Sequence, residues 1–216
     1  MNNQPNLETP SVPTEKPKKS VARALFDTFE MFAWAMVIVF LLFTFSMRLC
    51  EVDGSSMINT LHDGENLLLY SLGYTPEQDD IIVFHLTELE GDHGLGSTEK
   101  TLVKRVIATG GQELFIDFTT KEIFVDGIRY EDANALFIDP ANGKPTDGYQ
   151  YAPSGNADYD PITNTLRVIV PQHMLFVMGD NRNNSNDSRN PDLSFIDERC
   201  VLGKVVARLS PFTIFS

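Results

Sequence analysis

The pattern of hydrophobic and polar positions changes near residue 48 of this chain. Before that point, seventeen consecutive residues from Met31 to Met47 carry no charge, and Glu30 and Arg48 bound them. A run of this length without a polar face lies at the short end of the range for helices that span a bilayer. The run therefore predicts a single N-terminal transmembrane helix within residues 21–48.

Three alternatives to a membrane helix fit this run less well. A cleaved secretory signal would have a shorter apolar core, a shorter leading segment and small residues at a cleavage site behind it. A lipoprotein signal would use Cys50, but Arg48 and Leu49 stand where small residues would be needed. A buried core helix would show a polar face, which this run lacks. The membrane anchor is therefore our prediction.

After Arg48 the apolar residues occur in short runs that are rich in β-branched and aromatic residues and are separated by Gly, Asp, Asn and Pro. The pair Asp126-Gly127 between alternating residues predicts a hairpin with a type I′ turn. Residues 133–164 have little periodicity and indicate a loop-rich, mobile insertion. We therefore predict a mostly β domain over residues 49–216. The predicted strands lie within residues 65–72, 80–86, 100–109, 112–118, 121–131, 165–170, 173–180 and 200–209.

The charged residues are distributed unevenly along the chain. The net charge is −13, and residues 49–216 contain 26 Asp and Glu against 12 Lys and Arg. An acidic domain without a basic stripe is poorly suited to neutralise phosphates, so we expect no nucleic acid as a partner. Residues 1–20 are rich in Pro, Asn and Lys with few large apolar residues, which predicts a disordered tail.

The basic residues near the predicted helix lie mostly on its N-terminal side. Lys16, Lys18, Lys19 and Arg23 precede the uncharged run, whereas only Arg48 lies close to its far end. By the positive-inside rule, this asymmetry predicts a single-pass protein of the cell membrane with a cytoplasmic N-terminus. The acidic β domain would then be extracytoplasmic.

Several weak motifs carry no function. The stretch "GLGSTEKT" at residues 94–101 lacks the second glycine of a phosphate-binding loop. The stretch "DNRNNSND" has Arg182 at a position that a calcium loop gives to a ligand. Cys50 and Cys200 lack metal-ligand spacing, and the sequence leaves open whether they pair. We therefore expect no cofactor and no metal ion.

The stretch "VDGSSMINTL" offers Ser55 and Ser56 as candidate nucleophiles, and a serine needs a base. One candidate base is Lys104, because burial would lower the pKa of a lysine from its usual value of about 10.4, whereas Arg105 beside it keeps its proton. In a strand these two neighbours point to opposite faces, so one of them faces the buried side. A charge pair on an edge strand would explain the same two residues. The other candidate bases are His62, His85, His93 and His173.

The apolar segment is followed, in order, by "GSSMINTL", "DDIIVF", "KRVIATGG" and "GDNRNNSNDSR". This ordered set resembles the bacterial type I signal peptidase family, which consists of membrane-bound serine–lysine proteases. The resemblance implies an antiparallel β catalytic domain that cleaves N-terminal signal peptides from exported preproteins at the outer face of the cytoplasmic membrane. We expect a monomer whose partners are signal peptides and the lipid bilayer.

The resemblance also implies a role for particular residues. Ser56 matches the nucleophile, Lys104 the general base, and Ser185 the serine that hydrogen-bonds the base. The N–H of the nucleophile is an oxyanion donor in such proteins, and Gly54 stands where some members add a hydroxyl donor. The supporting charged residues are Arg105, Asp180, Asp187 and Arg189. The residues expected to bind the substrate, as an added strand, are Val52, Gly54, Met57, Leu102 and Val103.

The chain departs from the family's pattern at a few positions. Asn59 replaces the usual proline after the nucleophile, Asn183 replaces a frequent aspartate, and "ATGGQ" replaces a more usual turn. None of these changes removes a reacting group. Two rival interpretations are a soluble, self-cleaving repressor-type protease, which the anchor disfavours, and a catalytically inactive membrane-tethered β-domain that binds peptides or cell-wall components.

Overall fold

The computed structural model describes residues 21–89, 97–150, 153 and 155–215. The predicted tail at residues 1–20 lies outside the described residues, and so do residues 94–96 of the rejected phosphate-loop motif. Contacts between Cα atoms divide the chain into two units, Met1–Phe43 and Thr44–Ser216, and each is described by itself.

The N-terminal helix, α1, spans Val21–Ser46 and begins before the uncharged run. Its stretch Leu25–Ser46 has 22 residues and a mean hydropathy of 2.0. At 1.5 Å per residue this stretch is about 33 Å long, which matches the roughly 30 Å hydrocarbon core of a bilayer. Its large apolar side chains, from Leu25 to Phe45, are exposed. The helix is therefore compatible with the predicted membrane anchor.

Thirteen strands are described after the helix. In chain order they are β1 (Met47–Glu51), β2 (Asn66–Tyr70), β3 (Ile81–Leu89), β4 (Ser97–Thr109), β5 (Glu113–Asp117), β6 (Glu122–Val125), β7 (Ile128–Arg129), β8 (Tyr159–Asp160), β9 (Thr165–Ile169), β10 (Met174–Met178), β11 (Ile196–Asp197), β12 (Val201–Leu209) and β13 (Phe212–Ile214). A 3₁₀ turn, Glu198–Cys200, precedes β12.

The strands form two antiparallel sheets. The first has eight strands in the order β1-β2-β12-β3-β4-β10-β11, with β13 paired to β12. The second has five strands in the order β7-β6-β5-β9-β8. This arrangement confirms the prediction of a mostly β, antiparallel domain behind one N-terminal apolar helix.

Each of the eight predicted runs overlaps a strand, although β3 continues past its run to Leu89 and β4 begins before its run at Ser97. The hairpin between β6 and β7 turns at Asp126 and Gly127, whose φ values of 52° and 75° are both positive, as a type I′ turn requires. The pattern does not predict β1, because its first residue, Met47, ends the apolar run. It also misses β8, β11 and β13, because two or three residues are too few to show a period.

The longest strand, β4, joins the two sheets and leaves one edge open. Ile107 and Ala108 of β4 share a buried core with Leu114 and Ile116 of β5. On one edge, β3 pairs with β4 up to Arg105, but on the other edge β10 pairs with β4 only from Arg105 to Thr109. Among the described residues, no strand covers that second edge before Arg105.

Two features of the β domain go beyond the sequence-based picture. Cys50 and Cys200 are both free thiols, so they are not paired in this structure. The described part of the predicted insertion, residues 133–164, is hydrogen-bonded rather than free, and it includes a bridge from Leu136 to Asn181 and one from Ile138 to Pro145. Bonds over such separations leave no trace in local periodicity.

Candidate active site

Ser56 and Lys104 lie in contact, although 48 residues separate them along the chain. Nζ of Lys104 is 2.7 Å from Oγ of Ser56 and also donates to the carbonyl oxygen of Val103 at 3.0 Å. Lys104 is only 2% exposed, and Ser56 is half-buried. Burial disfavours the charged form of an amine. A neutral Lys104 at this distance can accept the hydroxyl proton of Ser56.

The turn that leads into Ser56 has a backbone shape that favours glycine. Gly54 has a φ of 97°, and its N–H donates to Oδ1 of Asp63 at 2.7 Å. The N–H of Ser56 makes no hydrogen bond to a described residue, so it is free to donate to a substrate. Asn59 has a φ of 103°, which the ring of a proline excludes. The departure from proline therefore agrees with the loop conformation.

Two asparagines of the "GDNRNNSNDSR" motif hold the serine loop. Nδ2 of Asn181 donates to the carbonyl oxygen of Ser55 at 3.0 Å. The backbone N–H of Asn181 donates to the carbonyl oxygen of Ser56 at 3.0 Å. Nδ2 of Asn184 donates to Oγ of Ser55 at 2.9 Å. The two serines thus differ, because the Ser55 hydroxyl contacts Asn184 and the Ser56 hydroxyl contacts Lys104. Sequence reasoning does not single out either asparagine, and only their place in the motif points to them.

Gly179, which follows β10, lets this motif approach the serine loop closely. A Cβ atom at Gly179 would lie 2.5 Å from the carbonyl oxygen of Ser56 and would overlap the side chain of Ser185. The N–H of Gly179 donates to Oδ2 of Asp187 at 3.0 Å. Because no side chain fits here, Gly179 belongs to the site, although sequence reasoning passes it over.

Arg105 and Asp180, two of the four predicted supporting residues, form an ion pair. Nε and Nη2 of Arg105 lie 2.9 and 2.8 Å from the two carboxylate oxygens of Asp180, and both residues are buried. Thr60 Oγ1 also donates to this carboxylate. Lys104 and Arg105 lie where β4 begins to have an open edge, but both side chains are buried rather than solvated as a surface charge pair would be. The ion pair ties the strand that carries Lys104 to the motif that holds Ser56.

Asp187 and Arg189 form a second bidentate pair, in which neither side chain is exposed. Burial alone would raise the pKa of Asp187, but the positive charge and hydrogen bonds of Arg189 outweigh it, and the Gly179 N–H adds to them. The pKa of Asp187 is therefore held below its ordinary value. Through Gly179 this pair supports the backbone beside Ser56.

Ser185 lies beside Gly179, but it does not make the predicted bond to Lys104. Its side chain is 8% exposed, and its hydroxyl lies beside the carboxylate of Asp187, where it helps to lower the pKa of that carboxyl. The lysine amine instead donates to Ser56 and to the carbonyl of Val103. In this conformation Ser185 fills space against Gly179, and an orienting role would require the hydroxyl to reach Lys104.

The five predicted substrate-binding residues differ in accessibility. Val52 and Met57 are core residues with 4% and 1% exposure, and both backbone groups of Val52 are bonded, to Gly64 and Glu65. They therefore support the loop and offer no side chain to a peptide in this structure. Gly54 is exposed, and Leu102 and Val103 are half-buried on β4 beside its open edge.

The alternative bases do not lie at Ser56. His62 lies 3.7 Å from Glu65, His85 contacts Thr101, and His173 lies 3.6 Å from Glu198. His93 lies outside the described residues. Among the described titratable groups, Lys104 is the one in hydrogen-bond contact with the Ser56 hydroxyl.

Comparison with known proteins identifies relatives over most of the chain. The family model for "Signal peptidase, peptidase S26" matches residues 25–210. The probable signal peptidase I-1 of Synechocystis sp. is 32% identical over 180 residues, which cover 82% of this chain and 78% of that protein. Signal peptidase IB of Staphylococcus aureus is 28% identical over 186 residues, which cover 85% of this chain and 88% of that protein.

A crystal structure of a signal peptidase I from Enterococcus faecalis is also similar. It covers 61% of this chain and 97% of its own, at 21% identity and a TM-score of 0.37, which is too low to bear on the fold. The family match, by contrast, extends from α1 to the end of β12 and includes every residue of the site described above. The chain therefore belongs to the peptidase S26 family of signal peptidases.

Proposed function

We propose that this chain is a signal peptidase I that removes N-terminal signal peptides from exported preproteins, with Ser56 as nucleophile and Lys104 as general base. The family is one of serine proteases, and the relatives at 28–32% identity are named signal peptidases I. The observation that carries the assignment of roles is the 2.7 Å contact between Lys104 Nζ and Ser56 Oγ.

The proposed reaction proceeds through an acyl-enzyme. Neutral Lys104 takes the hydroxyl proton as Ser56 Oγ attacks the scissile carbonyl carbon, and the resulting ammonium then gives that proton to the leaving amine. The carbon–nitrogen bond breaks, and the signal peptide remains as an ester on Ser56. Water attacks this ester with Lys104 again acting as base, which releases the signal peptide and restores the serine.

The tetrahedral intermediate carries a negative oxygen that needs hydrogen-bond donors. The unengaged N–H of Ser56 is suited to be the first donor. The N–H of Gly54 is engaged by Asp63 at 2.7 Å, and a glycine has no hydroxyl to contribute. We infer that the second donor is a backbone group that turns toward the substrate or a bound water.

The open edge of β4 supports the binding of substrate as an added strand. The backbone N–H of Val106 in β4 donates to the carbonyl oxygen of Asp80, just before β3, at 2.8 Å. Successive residues of an antiparallel strand point their N–H and carbonyl groups to opposite edges. Because Val106 points to β3, Val103 and Thr101 point their backbone groups to the open edge, where an added peptide strand could bind them. A peptide strand there would run toward Ser56 and Lys104. We propose that Leu102, Val103 and Gly54 contact it.

Membrane attachment follows from the same proposal. Signal peptides are apolar and reside in the bilayer, so an enzyme anchored by α1 meets them in two dimensions. We propose a cytoplasmic N-terminus and an extracytoplasmic β domain. Both reacting groups come from one chain, so the proposed reaction needs no second subunit.

The test is cleavage of a preprotein by the detergent-solubilised full-length chain. The substrate carries a signal peptide with small residues at the first and third positions before the cleavage site, and mass spectrometry maps the new N-terminus. We expect one cut after the second small residue and no cut by Ser56→Ala. An active-serine probe should label the wild type and not this variant. Absence of both cleavage and labelling would favour the inactive peptide-binding domain.

A further inference from the structure

Residues 132–150, here called the clamp segment, comprise Asp132 and the first described part of the insertion, and they lie against the motif that holds the serine loop. Leu136 bridges to Asn181, and its N–H and carbonyl bond to the residues on either side of Asn181 at 2.7 and 2.8 Å. Asn181 donates in turn to the carbonyl oxygen of Ser56 at 3.0 Å. Three consecutive motif residues are therefore bonded alternately to the clamp segment, through Asp180 and Arg182, and to the nucleophile's loop, through Asn181.

Asn183 attaches the end of the clamp segment to the same motif. Its Nδ2 donates to the carbonyl oxygen of Gly148 at 2.8 Å, and its Oδ1 accepts from the N–H of Gln150 at 2.8 Å. The side chain is 5% exposed. Only a group that donates and accepts satisfies both backbone partners. An ionised aspartate, the frequent residue at this position in the family, would accept from Gln150 but would set a negative charge against the Gly148 carbonyl.

The start of the clamp segment is attached by a buried arginine. Arg182 is fully buried, and its guanidinium donates through both terminal nitrogens to the carboxylate of Asp132. Within the segment, the bridge between Ile138 and Pro145 closes a small hairpin. The segment is therefore fixed to the motif at its start through Arg182, in its middle through Leu136, and at its end through Asn183.

We propose that the clamp segment is a positioning element for the catalytic serine and that Asn183 is the positioning residue that attaches it. The inference rests on the proposed role of Ser56. The segment from Asp180 to Asn183 has no strand partner of its own beyond the clamp segment and the serine loop, among the residues that the structure describes. If the clamp segment detaches, Asn181 loses the bonds on both its sides and no longer holds the Ser56 carbonyl in place. A misplacement of about 1 Å at a reacting group can cost about 10²-fold in rate.

The test compares two Asn-to-Asp substitutions within one motif, each made in the full-length chain in detergent. Asn183→Asp removes the donor to Gly148 and adds a buried charge. Asn186→Asp is the matched control, because Asn186 is exposed and only accepts a hydrogen bond from Asn190, which an aspartate also does. Asn183→Ala removes both bonds without adding charge. Circular dichroism and thermal melting establish that each variant is folded.

Hydrogen–deuterium exchange measures whether the clamp segment is attached to the motif, independently of activity. In Asn183→Asp we expect at least tenfold faster exchange in peptides that cover residues 132–150 and 179–183, with a smaller increase in Asn183→Ala and none in Asn186→Asp. Lowering the pH should reduce the difference in exchange rate between Asn183→Asp and Asn186→Asp, because a protonated carboxyl at position 183 can again donate to the carbonyl oxygen of Gly148. For preprotein cleavage we expect kcat to fall about tenfold or more in Asn183→Asp, with KM changed less than about twofold and an unchanged pH midpoint.

Each result separates the two proposals. If residues 179–183 exchange at the same rate in Asn183→Asp as in the Asn186→Asp control, that result would overturn the proposal that Asn183 attaches the clamp segment, whatever the activity. Faster exchange with an unchanged kcat would show that the segment is attached but does not position the serine, which also overturns the inference. A wild type that cleaves no preprotein, combined with faster exchange in Asn183→Asp, would leave the clamp intact as a structural coupling and reject the proposed function.

Discussion

Gly179 faces the backbone of Ser56 so closely that a Cβ atom on it would lie 2.5 Å from the Ser56 carbonyl oxygen. Because the obstacle is backbone, it cannot turn aside as a flexible side chain would. We expect Gly179→Ala to displace Ser56 and to lower kcat/KM at least tenfold. Overpacking of this kind should also lower the free energy of unfolding by about 1–3 kcal/mol.

The matched control for this substitution is Gly148→Ala. A Cβ atom there would meet only Nε2 of Gln150, at 3.9 Å, which is an ordinary contact. The variant keeps the backbone carbonyl that Asn183 binds, so kcat/KM and the melting temperature should change little. Equal activity of Gly179→Ala and Gly148→Ala would mean that the close approach of Gly179 to Ser56 has no functional importance.

The adjacent serines should respond differently to substitution. Ser56→Ala removes the nucleophile and should abolish both cleavage and labelling by an active-serine probe. Ser55→Ala removes only the acceptor for Asn184, a hydrogen bond worth about 0.5–1.5 kcal/mol, and should retain activity within about tenfold. Single-turnover cleavage assays distinguish the two. Equal losses would show that the role of nucleophile is misassigned by one residue.

The pair Asp187–Arg189 should make stability sensitive to acid. Burial alone would raise the pKa of Asp187, but Arg189 and the Gly179 N–H hold it below its ordinary value of 3.8. The stability from this pair is therefore complete above the unfolded-state pKa, near 4, and is lost as the pH falls through the lower folded-state pKa. Denaturant unfolding at pH 7, 5, 4 and 3 measures this loss.

Asp187→Asn tests the same pair at neutral pH. The substitution leaves the fully buried Arg189 without its counter-charge, and breaking a buried pair in this way costs roughly 3–5 kcal/mol. The variant should be less stable than the wild type at pH 7, and the difference should shrink on acidification. A difference between variant and wild type that stays constant down to pH 3 would contradict this account of Asp187.

The orientation in the membrane should follow the basic residues that precede α1. With Lys16, Lys18, Lys19 and Arg23 on the cytoplasmic side, protease added to intact protoplasts should digest the β domain and spare the N-terminal tail. Immunoblotting with a tag at each end reads the result. Protection of the β domain would reverse the topology and remove its access to exported preproteins.

Local patterns were sufficient for the strands but not for the site. Runs such as the one around Ile81–Phe84 predict strands, because burial and β-propensity select the residue types of adjacent positions and so leave a local pattern. The contact between Ser56 and Lys104, and that between Asn181 and Ser55, join residues 48 and 126 positions apart. No periodicity encodes such a distance, so the pairing of Ser56 with Lys104 came from the family's motifs.

Two further expectations depend on long-range contacts. Val52 and Met57 precede and follow the nucleophile in sequence, but in this structure their side chains face the core, so their predicted contact with substrate stays a prediction. Residues 133–164 lack apolar periodicity, yet the Asn183 side chain holds part of them by bonds to the backbone groups of Gly148 and Gln150, and backbone groups leave no mark in the sequence. The motif that contains Asn183 was the only available signal.

The base is tested most directly by kcat/KM against pH for the wild type, Lys104→Arg and Lys104→Ala. Lys104 is 2% exposed, so burial should lower its pKa from about 10.4, and wild-type activity should rise with pH through that lowered pKa. Arginine keeps the charge but cannot lose its proton, so Lys104→Arg should be as inactive as Lys104→Ala, about 10²–10⁴-fold or more below the wild type. A folded Lys104→Arg enzyme with near-wild-type kcat/KM would contradict the serine–lysine mechanism.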